Sequence, residues 1–258
     1  ARMGLIDGFM ARGQLWLVGL ALFLTMLLAV EAGAALRKRL PGSNGIGEAS
    51  EGYLLSATLA LLGLLIAFTF SLAVSRFDAR RQLVVDEANA IGTAWLRAGL
   101  AEGPQDRDLR QAIAHYTDVR LGLSRGRSPD IVETETAAAQ KAVWDTLGKT
   151  IDTAPPAIVN STVIAVNDMF DAAASRKAER GAIIPARVLE ILVLYAVLSA
   201  SIVGYVLSAS GQRHIVVTSI LFLLLTLAIT LILDLDRPQQ GSIMVPQQPM
   251  LDARMSMQ

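Results

Sequence analysis

The chain has 258 residues, of which 53% are hydrophobic and only 18% are charged. Soluble domains carry about a quarter charged residues, so this composition indicates a membrane protein. The net charge is zero, which gives no reason to expect nucleic acid as a partner. Cysteine does not occur in the sequence, and this excludes disulfides, thiol catalysis and cysteine-ligated zinc.

The first apolar segment covers residues 15–36, after an N-terminal segment over residues 1–14. About 20 apolar residues are enough to cross the hydrocarbon core of a bilayer. The small residues at 33–35 (GAA) also resemble a signal-peptidase site, which is the competing interpretation. The basic triplet RKR at 37–39 argues against export and cleavage. We therefore expect a retained first transmembrane helix.

A second apolar segment, residues 53–75, is followed by helix-forming sequence to about residue 100, where Gly103 and Pro104 end it. We expect one long helix that begins in the membrane and continues outside it. Further helical segments follow, and together they predict a cytoplasmic helical domain over residues 76–182. The clearest of them places four apolar residues on one face at helical spacing: Leu109, Ile113, Tyr116 and Val119.

Two more apolar segments predict the third and fourth transmembrane helices, at residues 183–208 and 214–233. The remaining residues, 234–258, are rich in proline and glutamine. They predict an extended C-terminal tail that lies along another surface, which we expect to belong to a neighbouring subunit. The predicted fold class is all-α.

Four crossings place both termini and the helical domain on the same side of the membrane. More arginine and lysine residues lie near the membrane on that side than on the other. Because positive residues accumulate on the cytoplasmic side, we expect a multi-pass protein of the inner membrane with cytoplasmic termini.

No arrangement of residues in the sequence predicts an enzyme, a cofactor or a metal site. His115 and His214 have no second ligand at metal-binding spacing. The glycines Gly42, Gly45 and Gly47 occupy a turn without the strand and lysine that a phosphate loop requires.

Three charged residues lie within predicted membrane helices, where an unpaired charge is costly. They are Glu31, Arg187 and Glu190. In one interpretation, Glu31 lies near an interface and Arg187 pairs with Glu190 one turn along. In the other, one of them faces a water-filled pathway.

One face of the long second helix combines hydroxyl and leucine side chains in the membrane with arginines outside it. At about 100° per residue, this face contains Thr58, Leu65, Thr69, Leu72, Arg76, Arg80, Leu83 and Glu87. A pore helix has this pattern, with a leucine constriction followed by a basic vestibule that concentrates anions. A helix packed inside a bundle can have the same pattern, so both interpretations stay open.

Asp234 and Asp236 end the fourth apolar segment, where the C-terminal helix dipole is unfavourable to a carboxylate. We expect them to have structural partners rather than to bind a metal. The nearest candidates in membrane depth are Arg76, Arg80 and Arg81.

Three segments carry a resemblance to a known family: SRFDARRQLVVDEANAIGTA, NDMFDAAASR and ILDLDRPQQGSI. They resemble the bacterial family with a bestrophin-like domain, which is distantly similar to bestrophin anion channels. The resemblance implies a four-span subunit that assembles around a central axis, as a pentamer, in the lipid bilayer. It also implies permeant inorganic anions and an apolar neck on the second helix.

The sequence departs from true bestrophins at two places. The aromatic-rich motif of the neck is replaced by Leu61, Leu62, Leu65 and Ile66. The acidic calcium clasp is reduced to Asp234 and Asp236. The sequence thus predicts a homo-oligomeric, anion-permeable channel lined by the second helix. The alternative is a non-conducting scaffold or signalling subunit whose cytoplasmic helices bind a partner.

Overall fold

The computed structural model describes residues 15–39, 48–100, 104–123, 127–150, 154–208, 215–237 and 242–257. Within these ranges the chain forms helices and no strand, which confirms the predicted all-α class. The helices are α1 (Leu15–Arg39), α2 (Glu48–Ala98), α3 (Pro104–Arg120), α4 (Pro129–Thr150), α5 (Pro156–Gly181), α6 (Ala186–Leu207), α7 (Ile215–Asp236) and α8 (Gln248–Met255).

Four helical stretches are long and apolar enough to cross a membrane. They are α1, most of α2, a stretch that contains α6, and α7. Less than half of each apolar window is buried within the subunit. Apolar surface of this extent has to be covered by lipid or by protein, so the chain is a membrane protein.

The chain divides into two compact units. The membrane unit consists of Ala1–Phe77 and Ile183–Met244, and the helical unit consists of Asp78–Ala182 and Val245–Gln258. α2 contributes its first part to the membrane unit and its second part to the helical unit.

In the membrane unit, α1 and α6 approach each other through glycine. A Cβ atom on Gly33 would lie 1.9 Å from the carbonyl oxygen of Ser201, and one on Gly204 would lie 2.0 Å from that of Val30. Small residues allow the backbones of membrane helices to come this close. Gly33, in the small-residue segment at 33–35, therefore lies at the crossing of α1 and α6.

The C-terminal end of α1 is anchored by Arg37. Its Nη1 atom donates to Oε2 of Glu51 at 2.6 Å and to the carbonyl oxygen of Tyr205 at 3.3 Å. The guanidinium carbon lies 4.9 Å from the centre of the Tyr205 ring. One residue of the basic triplet thus connects α1 to α2 and α6.

The core of the helical unit is formed by α2, α3, α4 and α5. All four residues of the stripe expected on α3 are buried, and the largest of them, Tyr116, packs its ring 5.9 Å from that of Phe170 on α5. From α2, Ile91 and Ala94 are fully buried in the same core. The face of α3 that carries the regularly spaced hydrophobic residues is therefore the face that packs in the core.

The C-terminal segment corrects the expectation of an extended tail, since residues 248–255 form α8. Pro249 lies in the first turn of α8, where a missing N–H group costs nothing. Met250 is buried in the core of the helical unit of the same chain. Arg254 forms two hydrogen bonds to the carboxylate of Asp118, at 2.9 and 3.0 Å.

Candidate functional site

The face of α2 that the sequence singles out packs largely inside the subunit. In the membrane unit, Thr69 is only 4% exposed, and its hydroxyl donates to the carbonyl oxygen of Leu65 at 2.8 Å. Leu65 itself is half-buried against the core of the membrane unit, and Thr58 is also half-buried. Leu72, at the edge of this face, is exposed.

The arginines at the continuation of this face are also turned inward. Arg80 is 5% exposed, and its Nη2 donates to the carbonyl oxygen of Ala182 at 3.0 Å. Arg76 is half-buried. Burial of Thr69 and Arg80 within the subunit counts against a water-facing role for these two residues, although a pore along α2 stays a prediction.

The opposite face of α2 is exposed along the membrane unit, and small side chains dominate it. At helical spacing it contains Ser56, Ala60, Gly63, Ala67, Ser71 and Ser75. A large apolar residue, Leu64, lies within this face and is 51% exposed. On one flank Leu61 and Phe68 are exposed as well.

In the helical unit, α2 exposes polar side chains. Asp78, Gln82, Asp86 and Asn89 are exposed there, with Arg81 beside them. The amide of Gln82 donates to the carboxylate of Asp86 at 2.9 Å. The exposed side chains of α2 are therefore small in the membrane unit and polar in the helical unit.

The three charged residues of the predicted membrane helices lie on the surface of the subunit. Nη1 of Arg187 is 3.4 Å from Oε2 of Glu190, the separation expected for a pair three residues apart on a helix. Arg187 is 90% exposed, and Glu31 is exposed as well.

Asp234 and Asp236 receive backbone hydrogen bonds, a kind of partner that the sequence did not indicate. Oδ1 of Asp236 accepts from the N–H group of Ile184 at 2.9 Å, in a fully buried position. Oδ1 of Asp234 accepts from the N–H group of Ser242 at 2.6 Å. The two aspartates thus fasten the segments that lead into α6 and out of α7. Arg81 is exposed on α2.

The most deeply buried charge of the helical unit is Glu87 of α2, which is 0% exposed. Its Oε1 accepts from Nε of Arg120 at 2.5 Å, and its Oε2 accepts from Nη2 of Arg120 at 3.2 Å and from Nη1 of Arg176 at 2.5 Å. Arg176 also donates to the side-chain oxygen of Gln247. One carboxylate therefore joins α2 to α3 and α5, and Arg176 connects the cluster to the C-terminal segment.

Burial on its own would raise the pKa of Glu87, but the attraction of Arg120 and then of Arg176 outweighs it. The pKa of Glu87 consequently lies below its usual range. The sequence places Glu87 on the candidate pore face of α2 and does not indicate these partners. They come from helices far along the chain, and no local pattern indicates them.

Arg180, at the end of α5, gives this region a surplus of positive charge. Its Nη1 and Nη2 atoms are buried and make no hydrogen bond within the described residues, and the nearest carboxylate oxygen, on Glu133, is 3.9 Å away. Burial lowers the pKa of Arg180, and repulsion by Arg120 and Arg176 lowers it further.

Within the part of the chain that the structure describes, no three His, Asp or Glu side chains lie close enough to hold a metal ion.

A family model, the bestrophin-like domain, matches residues 17–250 of the chain. The chain belongs to the bestrophin-like family. This confirms the resemblance that the three sequence segments carry. No curated protein matches the sequence.

Solved structures of bacterial homologues have the same fold as this bestrophin-like chain. A bestrophin homologue from Klebsiella pneumoniae matches with a TM-score of 0.64 and 14% identity, covering 93% of this chain and 96% of that one. A point variant of that homologue gives a TM-score of 0.66 at 13% identity, again covering 93% and 96%. A variant described as a membrane protein gives 0.65 at 14% identity, covering 95% and 98%. At such low sequence identity, the structural similarity shows a shared fold and nothing more.

Proposed function

We propose that this bestrophin-like protein is a subunit of a homo-oligomeric ion channel whose pore runs along α2. The supporting observation is the composition of the exposed face of α2 in the membrane unit. A face directed at lipid carries large apolar side chains, whereas Ala60, Ala67, Ser71 and Ser75 are small or bear hydroxyl groups. Such side chains suit either water or a closely packed protein neighbour.

The same face offers one candidate constriction. Leu64 lies between Ala60 and Ala67, and it is a large apolar side chain within this face, as is Tyr53 near the start of α2. Repeated around an axis by several subunits, leucines form an apolar ring that excludes water when the ring is narrow. We therefore propose Leu64 for the constriction, in place of Leu65 and Leu72 on the face that the sequence singled out.

Self-association follows from the same geometry, because one helix face cannot enclose a pore. The exposed apolar side chains on the flank, such as Leu61 and Phe68, would be covered by neighbouring subunits or by lipid. A pentamer is the stoichiometry that the resemblance to bestrophins implies.

The orientation that we propose has the helical unit and both termini in the cytoplasm, in the inner membrane of the cell. It is supported by the distribution of basic residues next to the spans, among them Arg76, Arg81 and Arg176.

The expected preference for inorganic anions was based on a vestibule formed by Arg76 and Arg80 and on the resemblance to bestrophins. The inward position of Arg80 and the partial burial of Arg76 remove the main support for that preference. Permeability to inorganic anions therefore stays a prediction that the resemblance to bestrophins supports.

Cysteine scanning of the intact oligomer tests the pore, since the sequence contains no cysteine. Single substitutions Ala60→Cys, Ala67→Cys and Ser71→Cys are reconstituted in lipid vesicles and treated with a charged, water-soluble thiol reagent. We expect labelling at all three positions and protection at Leu62→Cys and Thr69→Cys, whose native side chains are buried. Protection at every position, together with absence of ion flux, would favour the scaffold and contradict the channel.

A further inference from the structure

The helical unit buries more positive than negative charge near the end of α5. Arg120, Arg176 and Arg180 lie together there, and the side chain of each is at most 15% exposed. The carboxylate of Glu87 binds the first two, and a carboxylate oxygen of Glu133 is 3.9 Å from the third. Two carboxylates therefore face three guanidinium groups. At Arg180, the repulsion by the other two arginines exceeds the attraction of both carboxylates.

The remaining charges at this end of the unit do not offset the surplus. Lys177 lies 2.7 Å from Oε2 of Glu133, and it adds a further positive charge. Arg80 is buried near the end of α5, and Glu179 has other interactions of its own. Since Arg80 and Glu179 carry opposite charges, they leave the difference unchanged. The region consequently attracts anions.

Buried hydrogen-bond donors in this region lack acceptors. Both Nη atoms of Arg180 are covered and make no hydrogen bond within the described residues. The hydroxyl group of Thr136, which is 7% exposed and one turn along α4 from Glu133, has no partner there either. A buried donor without an acceptor costs free energy, and a charged donor costs more. A ligand that carries negative charge and accepts several hydrogen bonds would remove this cost.

Glu133 and Lys177 form the rim of the region toward solvent, since their side chains are 32% and 60% exposed. Lys177 holds the carboxylate of Glu133, which stays too far from Arg180 for a hydrogen bond. Exposed side chains change rotamer within nanoseconds. When Glu133 turns away from Arg180, an anion from solvent can take its place beside the guanidinium group.

We infer that the helical unit binds an oxyanion of the phosphate type through Arg180 and Lys177, in the positive field of Arg120 and Arg176. The planar fork of a guanidinium group matches two oxygens of a phosphate, whereas a chloride ion offers a single centre. The bound oxyanion replaces Glu133 as the partner of Lys177. The site lies within the helical unit and does not depend on the proposed pore.

Thermal unfolding of the full-length protein in detergent tests the site, because a ligand of the folded state raises the melting temperature as its concentration increases. Sodium phosphate is compared with sodium chloride at equal ionic strength. We expect a saturable rise with phosphate and none with chloride. Arg180→Gln should weaken the affinity for phosphate about ten- to a hundredfold, the factor that corresponds to a lost hydrogen bond to a charged group. Without phosphate, this variant should melt no lower than the unmodified protein, because it loses a buried charge without acceptors.

Two further variants make the result specific. Glu133→Gln removes the carboxylate that competes with the ligand, so it should increase the affinity for phosphate. Arg107→Gln removes an exposed arginine of α3 and should leave the affinity unchanged. Equal weakening by Arg107→Gln and Arg180→Gln would show an adventitious ion only and would overturn the site.

Short-chain phosphatidic acid distinguishes a lipid headgroup from free phosphate. Stabilisation by this lipid alone, lost in Arg180→Gln, would assign the site to a headgroup. A melting temperature that neither compound raises above the chloride control would overturn the inference. A marked loss of stability in Arg180→Gln without phosphate would overturn it as well, because Arg180 would then have a structural partner.

Discussion

Glu87 of α2 and Arg120 of α3 form a two-point ion pair inside the helical unit, with Nε 2.5 Å from Oε1 and Nη2 3.2 Å from Oε2. Both side chains are almost completely buried. Arg176 binds the same carboxylate from α5. Buried pairs contribute little net stability compared with an apolar core, but loss of one partner leaves an uncompensated charge.

Replacement of Glu87 by glutamine should destabilise the helical unit, by about 3–5 kcal/mol, because two buried guanidinium groups lose their common carboxylate. Thermal unfolding of the detergent-solubilised protein, followed by the fluorescence of Trp95 and Trp144 in that unit, measures the effect. The matched control is Glu135→Gln, which removes the exposed pair with Arg127. Equal melting temperatures for the two variants would contradict a structural role of Glu87.

The lowered pKa of Glu87 predicts that the protein loses stability in acid. The pKa of Glu87 is lower in the folded state than the value of about 4.3 in an unfolded chain. Its stabilising contribution is therefore complete above that value and is lost as the pH falls through the folded pKa. Melting temperatures measured between pH 7 and pH 3 should decline less steeply in Glu87→Gln than in the unmodified protein. Parallel curves would show that Glu87 is not responsible.

The crossing of α1 and α6 should tolerate no side chain at Gly33. A Cβ atom there would collide with the carbonyl oxygen of Ser201, so Gly33→Ala forces the two backbones apart. We expect a cost of about 1–3 kcal/mol, the usual range for overpacking, and a lower yield of folded protein from membranes. Gly52→Ala is the control, since no atom lies within 4 Å of the added Cβ. Comparable losses in both variants would contradict close packing at Gly33.

Leu64 and Leu62 provide a matched pair for the constriction, because one is exposed and the other is buried. Leu64→Ser should increase ion flux into reconstituted vesicles, because a polar ring no longer repels water. Leu62→Ser leaves a cavity and a hydroxyl group in the core, which should lower the free energy of unfolding by about 2–5 kcal/mol. We expect no increase in ion flux per folded protein from this variant. A higher flux from Leu62→Ser than from Leu64→Ser would place the constriction on the other face.

The sequence by itself determined the helical class, the four apolar stretches and the face of α3 that packs. These features depend on the spacing and length of apolar segments, which are local properties. The buried stripe from Leu109 to Val119 is an example, because a soluble amphipathic helix has one apolar face and water covers the other.

Only the tertiary structure decided what covers each face of α2. In a membrane helix both faces are apolar enough to be buried, so periodicity identifies a face without telling whether protein, lipid or water contacts it. For the same reason Thr69 could be read as a pore residue although it packs inside the subunit. Arg120 and Arg176 reach Glu87 across 33 and 89 residues of sequence. Pairings over such distances depend on how the helices pack, and no local pattern encodes them.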